Sequence, residues 1–263
     1  MKLVRHITFW FDENRISSIN TIIDSMNSFN VDTIDIFIHT NRSIDLTMFI
    51  NNQKGNIHII IWSPDDYTLS HHFPFGYYLT FNCRPLMKKQ KNDYDIFIYS
   101  EDDILITTDT FNYWLKYKDI CKRYLSNLGF IRLDRYKYCS DFKHRHGCPL
   151  VDIVTLDNQT FISNKNSYCA FWIYDKEMFH NFIESGHYNL NDIEINNLFI
   201  RETSAYALHN PKFNYFKYSS LIPIVNGSIS KDCRVYHLQP HSSRKYMFKK
   251  LFTFDELSNA TGI

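Results

Sequence analysis

Residues 93–114 read DYDIFIYSEDDILITTDTFNYW. The run from Tyr94 to Ser100 is rich in Ile, Phe and Tyr, the composition of a strand buried on both faces. Directly behind it stand three carboxylates, Glu101-Asp102-Asp103. In open parallel sheets, ligands bind beyond the carboxyl ends of the strands, so an acidic triplet there is placed for chemistry. If the chain stays extended, Glu101 and Asp103 project to one side, and Asp102 points away unless the chain turns. Two carboxylates on one side make a hard-oxygen site suited to Mn2+ or Mg2+. The competing reading is an acidic surface turn ahead of the next helix.

The flanking sequence supplies a sheet around that strand. Residues 7–11, 34–40 (IDIFIHT) and 57–62 (IHIIIW) are further apolar strand candidates. Between the first two, residues 15–29 carry Ile16, Ile19, Ile22, Ile23 and Met26 at helical spacing. A second helix is expected through residues 77–89. Asp109 is placed to cap a third, bearing Phe111, Trp114, Leu115, Tyr124 and Leu125, with Gly129 to end it and 130–133 to resume a strand. Strand–helix alternation over 130 residues predicts an α/β fold with right-handed crossovers and a mainly parallel central sheet flanked by helices. The second half is less regular. Residues 151–162 read as a β-hairpin turning at Leu156-Asp157-Asn158-Gln159. Residues 175–184 read as a helix stopping at Gly186, and 192–206 as another. No Pro/Gly/Ser-rich linker, internal repeat or low-complexity segment divides the chain, so one domain over 1–263 is expected.

Composition narrows the chemistry. Among 263 residues only 7 are glycine, and neither G-x-x-x-x-G-K nor G-x-G-x-x-G occurs, so a nucleotide site would need side chains or a metal to neutralise its phosphates. The net charge of +1 gives no electrostatic case for nucleic acid. Two short basic clusters, at residues 88–91 and 244–250, read as solvated faces; the second also suits weak contact with an acidic membrane surface. Arg5 and His6 interrupt the N-terminal apolar residues before a signal region forms, and the longest apolar run is too short to span a bilayer. The 6 cysteines are scattered, so reduced thiols in a cytoplasmic setting are expected. Cys139, His144, His146 and Cys148 have a zinc-compatible composition, but their spacing is not that of a standard finger or ribbon.

The segment 93–114 resembles the metal-binding region of nucleotide-sugar glycosyltransferases of the GT-A fold, in which an Asp-x-Asp or a variant ends a central strand. Further segments are similar in the same order: ITFWF near Phe9 followed by Arg15, IDIFIHTN ending at Asn41, YLTFNCR ending at Arg84, NSYCAFWIY at 166–174, Ile200-Arg201-Glu202-Thr203, and Val235-Tyr236-His237-Leu238. The resemblance spans most of the chain and implies a nucleotide-binding half at about 1–103 and an acceptor half at about 104–263. It implies Asp103 as the main ligand of Mn2+ or Mg2+, supported by Glu101 and Asp102, with Glu101 alternatively on the ribose and His237 as a further ligand. Phe11, Arg15, Thr40 and Asn41 would line the base and ribose, and Arg84 the pyrophosphate. Glu202 would be the base that takes the acceptor proton, with Asp192 and Glu194 competing for that role.

The activity so implied is transfer of a sugar from a nucleotide diphosphate sugar to a hydroxyl of a glycan or glycoconjugate. Two alternatives stand beside it. A metal-dependent nucleotidyltransferase would carry a Gly-rich basic loop after the first strand, and residues 11–18 contain no glycine. A non-catalytic carbohydrate-binding protein would use the abundant aromatic rings for sugar stacking, although rings at this density more often form core.

Overall fold

The computed structural model describes residues 1–49, 55–63, 75–134, 136–143, 150–164, 169–189, 207–209, 213–239 and 251–260. Its first elements are β1 (Lys2–Phe9), α1 (Ile16–Met26), β2 (Thr33–Thr40), β3 (Ile57–Trp62), α2 (Phe75–Asn82), α3 (Arg84–Lys89), β4 (Ile96–Glu101) and β5 (Ile104–Leu105). There follow α4 (Thr108–Arg123), β6 (Ser126–Leu128), β7 (Ile131–Asp134), β8 (Tyr138–Lys143), β9 (Leu150–Leu156) and β10 (Gln159–Asn164). The chain continues through β11 (Phe171–Asp175), α5 (Lys176–Glu184), β12 (Tyr218–Val225), β13 (Ser228–Ile229), β14 (Arg234–His237), β15 (Leu251–Thr253) and α6 (Phe254–Ala260). The architecture is α/β with mixed sheets. It forms two compact units, Met1–Ile104 with Ala170–Leu208, and Leu105–Cys169 with His209–Ile263.

The first unit is built on a sheet of order β11-β4-β1-β2-β3. Strand β1 pairs in parallel with both β2 and β4, β3 is parallel to β2, and β11 closes the β4 edge antiparallel. The chain therefore steps outward from β1 to β3 and then returns to the other side of β1, which makes the gap between β1 and β4 a topological switch point. One face of the sheet carries Leu3, Arg5 and Ile7 in register with Ile96, Ile98 and Ser100. Helix α1 buries Ile19, Ile22, Ile23 and Met26, one apolar stripe at helical spacing. Its Met26 sulfur meets the Arg5 guanidinium at 3.8 Å. On the opposite face Phe179 of α5 stacks on Phe97 with ring centroids 4.0 Å apart, and Trp172 lies against Tyr99 and Tyr174.

The expected helix over 77–89 is two helices, broken at Cys83. Pro85 in the first turn of α3 has no N–H to continue the ladder from the preceding turn, which forces the break. Lys88 and Lys89 are exposed, as expected of a solvated basic face, while Gln90 turns inward. In the second unit the side chain of Thr107, not Asp109, caps α4 by accepting from the Thr110 amide; Asp109 sits in the first turn, where its charge suits the helix dipole. Gly129 does not end this helix. The chain leaves α4 through Leu125, at φ 50°, and Gly129 lies between β6 and β7, where a Cβ would stand 2.8 Å from Ile222 Cγ1. The hairpin is as expected: β9 and β10 pair antiparallel, with Asp157 at φ 47° and Asn158 at φ 63°, the two left-handed residues of a type I′ turn. Strand β12 joins β10 antiparallel and β6 in parallel. A further sheet pairs β7 with β14 in parallel and with β8 antiparallel, and β8 with β15.

Three buried histidines add a pH dependence to this core. His6 Nδ1 and His39 Nε2 are 2.9 Å apart between β1 and β2, and His209 is buried in the second unit. Burial pushes His6 down to about 3, with Gln90 pulling weakly the other way. Burial, then the neighbouring His6, pushes His39 well below its ordinary value. Burial takes His209 to about 3. The unfolded chain takes up protons near 6.5 that the folded chain refuses, so this stability is full above that pH and is lost as the pH falls through it toward 3. Urea unfolding should show stability nearly level from about pH 7.5 to 6.5 and falling progressively from there to about pH 4.5. Ring resonances of His6, His39 and His209 should remain those of neutral imidazole at pH 5.

Candidate functional site

The carboxyl end of β4 lies at the switch point, with Glu101 in register opposite Thr8 of β1. Strand pairing stops at Glu101, whose amide donates to Ala170 O at 3.1 Å, and the chain turns at Asp102 and Asp103. The strict alternation of an extended chain therefore does not apply. Both aspartates engage Arg15: Nη1 lies 2.8 and 2.7 Å from the two oxygens of Asp102, and Nη2 lies 2.8 Å from Asp103 Oδ2. One guanidinium spans two successive carboxylates. Arg15 is presented by a short 3-10 turn, Glu13–Arg15, which Asp12 caps through the Asn14 amide.

The surface-turn reading fails on burial. Glu101, Asp102 and Asp103 are 5%, 3% and 0% exposed. Asp102 and Asp103 share the Arg15 guanidinium, and burying like charges together is costly unless a cation or a proton joins them. Asp102 registers that load: burial first, then Asp103, push its carboxyl upward, with Arg15 opposing and Glu101 adding.

The ends of β1 and β2 lie beside this turn on the same edge of the sheet. The Phe11 amide donates to Asn41 Oδ1 at 2.7 Å, so Asn41 ties the segment leaving β1 to the end of β2. Arg42 lies 3.5 Å over the Phe11 ring. Thr40 is buried in register with Phe9, and its hydroxyl has no hydrogen-bond partner among the described residues. Phe11, Arg15, Thr40, Asn41 and the acidic triplet are thus gathered at one sheet edge.

Arg84 is elsewhere, buried at the start of α3. Its Nη1 donates to the carbonyls of His187, at 3.2 Å, and of Tyr188, while Tyr188 Oη donates to Arg84 O at 2.6 Å. Its guanidinium lies 4.1 Å over the Phe81 ring and 5.1 Å over Phe182, and burial lowers its pKa. His237 belongs to the second unit, at the end of β14, where Nδ1 lies 2.7 Å from Asp134 Oδ1. A carboxylate on one ring nitrogen fixes the orientation and tautomer of the ring. Asp192, Glu194, Glu202, His144, His146 and Cys148 lie outside the described residues. Cys139 is buried as a free thiol in β8.

Among the described residues no group of three or more His, Cys, Asp and Glu side chains is arranged to hold a metal ion. The donor type of the acidic turn fits a divalent cation, because carboxylate oxygens are the hard ligands that Mg2+ and Mn2+ take. Sequence reasoning passed over Arg5, which lies fully buried behind the turn. The strand expected over 7–11 is β1, Lys2–Phe9, and so contains Arg5, which in the sequence reads only as an interruption of the apolar N-terminus. No family model matches the chain, and no curated protein matches it. Arg15→Ala would leave Asp102 and Asp103 buried without their counter-charge, and should lower the unfolding free energy at pH 7 by about 3–5 kcal/mol. Arg15→Lys should recover only part of that loss in the same urea titration, since an ammonium cannot fork across two carboxylates.

Proposed function

We propose that this chain is a divalent-metal-dependent glycosyltransferase of the GT-A type, moving a sugar from a nucleotide diphosphate sugar to a hydroxyl of a glycan or glycoconjugate. The observation that carries the reading is the buried acidic turn at the carboxyl end of β4, at the switch point of a parallel-stranded core. Asp103 and Asp102 would hold Mn2+ or Mg2+, with Glu101 beside them. The metal, when bound, supplies charge neutralisation to a departing diphosphate. Arg15 and the metal are alternative counter-ions for the same carboxylate oxygens. Phe11, Thr40 and Asn41 would line the nucleoside, while Arg84, expected on the pyrophosphate, is instead spent on the carbonyls of His187 and Tyr188. Glu202, or Asp192 in its place, would take the proton from the acceptor hydroxyl in an inverting transfer. The described cysteines are all free thiols, in keeping with a cytoplasmic enzyme.

A panel of nucleotide sugars titrated by calorimetry with and without Mn2+ tests the reading. At least one should bind only when the metal is present, and Asp103→Ala should weaken that binding by about tenfold or more. Absence of binding across the panel, with Asp103→Ala indistinguishable from the parent, would sink it. Pyrophosphate release from a sugar phosphate and a nucleoside triphosphate would point instead to nucleotidyl transfer.

A further inference from the structure

Arg5 is completely buried in the middle of β1. Burial alone lowers its pKa, to about 9, and among the described residues no carboxylate pairs with it. A buried guanidinium without an anion is costly unless its donors are all used. The donors of Arg5 are used in a particular way. Nε and Nη2 reach Ser100 Oγ at 3.2 and 2.9 Å, and Nη2 also donates to Ile104 O at 2.7 Å. Nη1 faces the Met26 sulfur at 3.8 Å. Ser100 is the residue before the acidic triplet and Ile104 the residue after it. One rigid, planar group therefore bonds both ends of a three-residue turn whose members are all carboxylates.

We propose that Arg5 is the positioning residue of the acidic turn: it fixes where β4 ends and the chain re-emerges, so that Asp102 and Asp103 converge on one cation. The consequence for metal affinity rests on the glycosyltransferase reading; the anchoring itself does not. The fork matters more than the charge. A second cation behind the carboxylates disfavours a metal, so Arg5 can raise metal affinity only by holding the turn in shape. Lysine retains the charge without the planar fork, and methionine removes the charge at comparable volume.

The experiment compares the full chain with Arg5→Lys and Arg5→Met by amide hydrogen exchange and by titration with Mn2+ alone, followed by electron paramagnetic resonance. In the parent, the Glu101 amide is protected by Ala170 O. In both variants it should exchange about tenfold faster or more, while Ile36 and Ile38 in β2 stay within about threefold of the parent. Both variants should also bind Mn2+ about tenfold more weakly. Unchanged exchange at Glu101, or the same acceleration throughout the sheet, overturns the anchoring role. Tighter Mn2+ binding by Arg5→Met with Arg5→Lys unchanged overturns it too, making Arg5 a counter-charge only. A parent that binds no Mn2+ removes support from the metal site, and the exchange data then decide Arg5 alone. If Arg5→Met does not fold, Arg5→Lys carries both measurements.

Discussion

Charge taken out of water has to be answered within a few ångströms, and at the end of β4 three carboxylates make that demand together. The salt bridges from Arg15 to Asp102 and Asp103 answer part of it. Asp102 feels the crowding directly: its carboxyl is held upward by burial and by its neighbours. Around this turn the first unit is arranged so that a short capped turn delivers Arg15, and the end of β2, through Asn41, restrains the segment between. A turn with less negative charge would need none of this.

The interior of β1 follows the same logic. Arg5 and His6 are adjacent, so the pleat sends them to opposite faces. Each face resolves its polar group differently. Arg5 is matched with a hydroxyl and a carbonyl that bracket the acidic turn. His6 is left neutral against His39, with the rings of Phe37 and His39 stacked around it. The polar residues of this strand are part of its core, as the strand's parallel neighbours on both sides require.

Much of this arrangement was legible in the sequence, and the failures have physical causes. The apolar runs of β2 and β4 were legible because strands covered on both faces leave no room for alternation, and β3 was legible from its isoleucines although it is a half-buried edge strand. The hairpin of β9 and β10 was legible because Asp and Asn tolerate the left-handed backbone of its turn. The end of α4 was not, since Leu125 adopts a conformation that glycine normally marks, in a chain with few glycines. The break at Cys83 could have been found from Pro85. At the site, the strand-end position of Glu101-Asp102-Asp103 was legible, but its partnership with Arg15 was not. That contact joins residues 87 and 88 positions apart and depends on where the chain turns, which local pattern does not report.

The interruption of the first unit bears on how the protein is made. Its edge strand β11 and the Ala170 carbonyl that receives the Glu101 amide follow, in order of synthesis, the whole of Leu105–Cys169. A nascent chain emerging N-terminus first can pair β1, β2, β3 and β4 early, yet β4 keeps an open edge until the intervening segment has left the ribosome. During that interval the acidic turn lacks its last backbone tether, and an unpaired strand edge invites the wrong partner. Arg5, already inside β1 and bonded to both sides of the turn, is available from the start. The nascent turn can therefore be shaped before the sheet that surrounds it is closed.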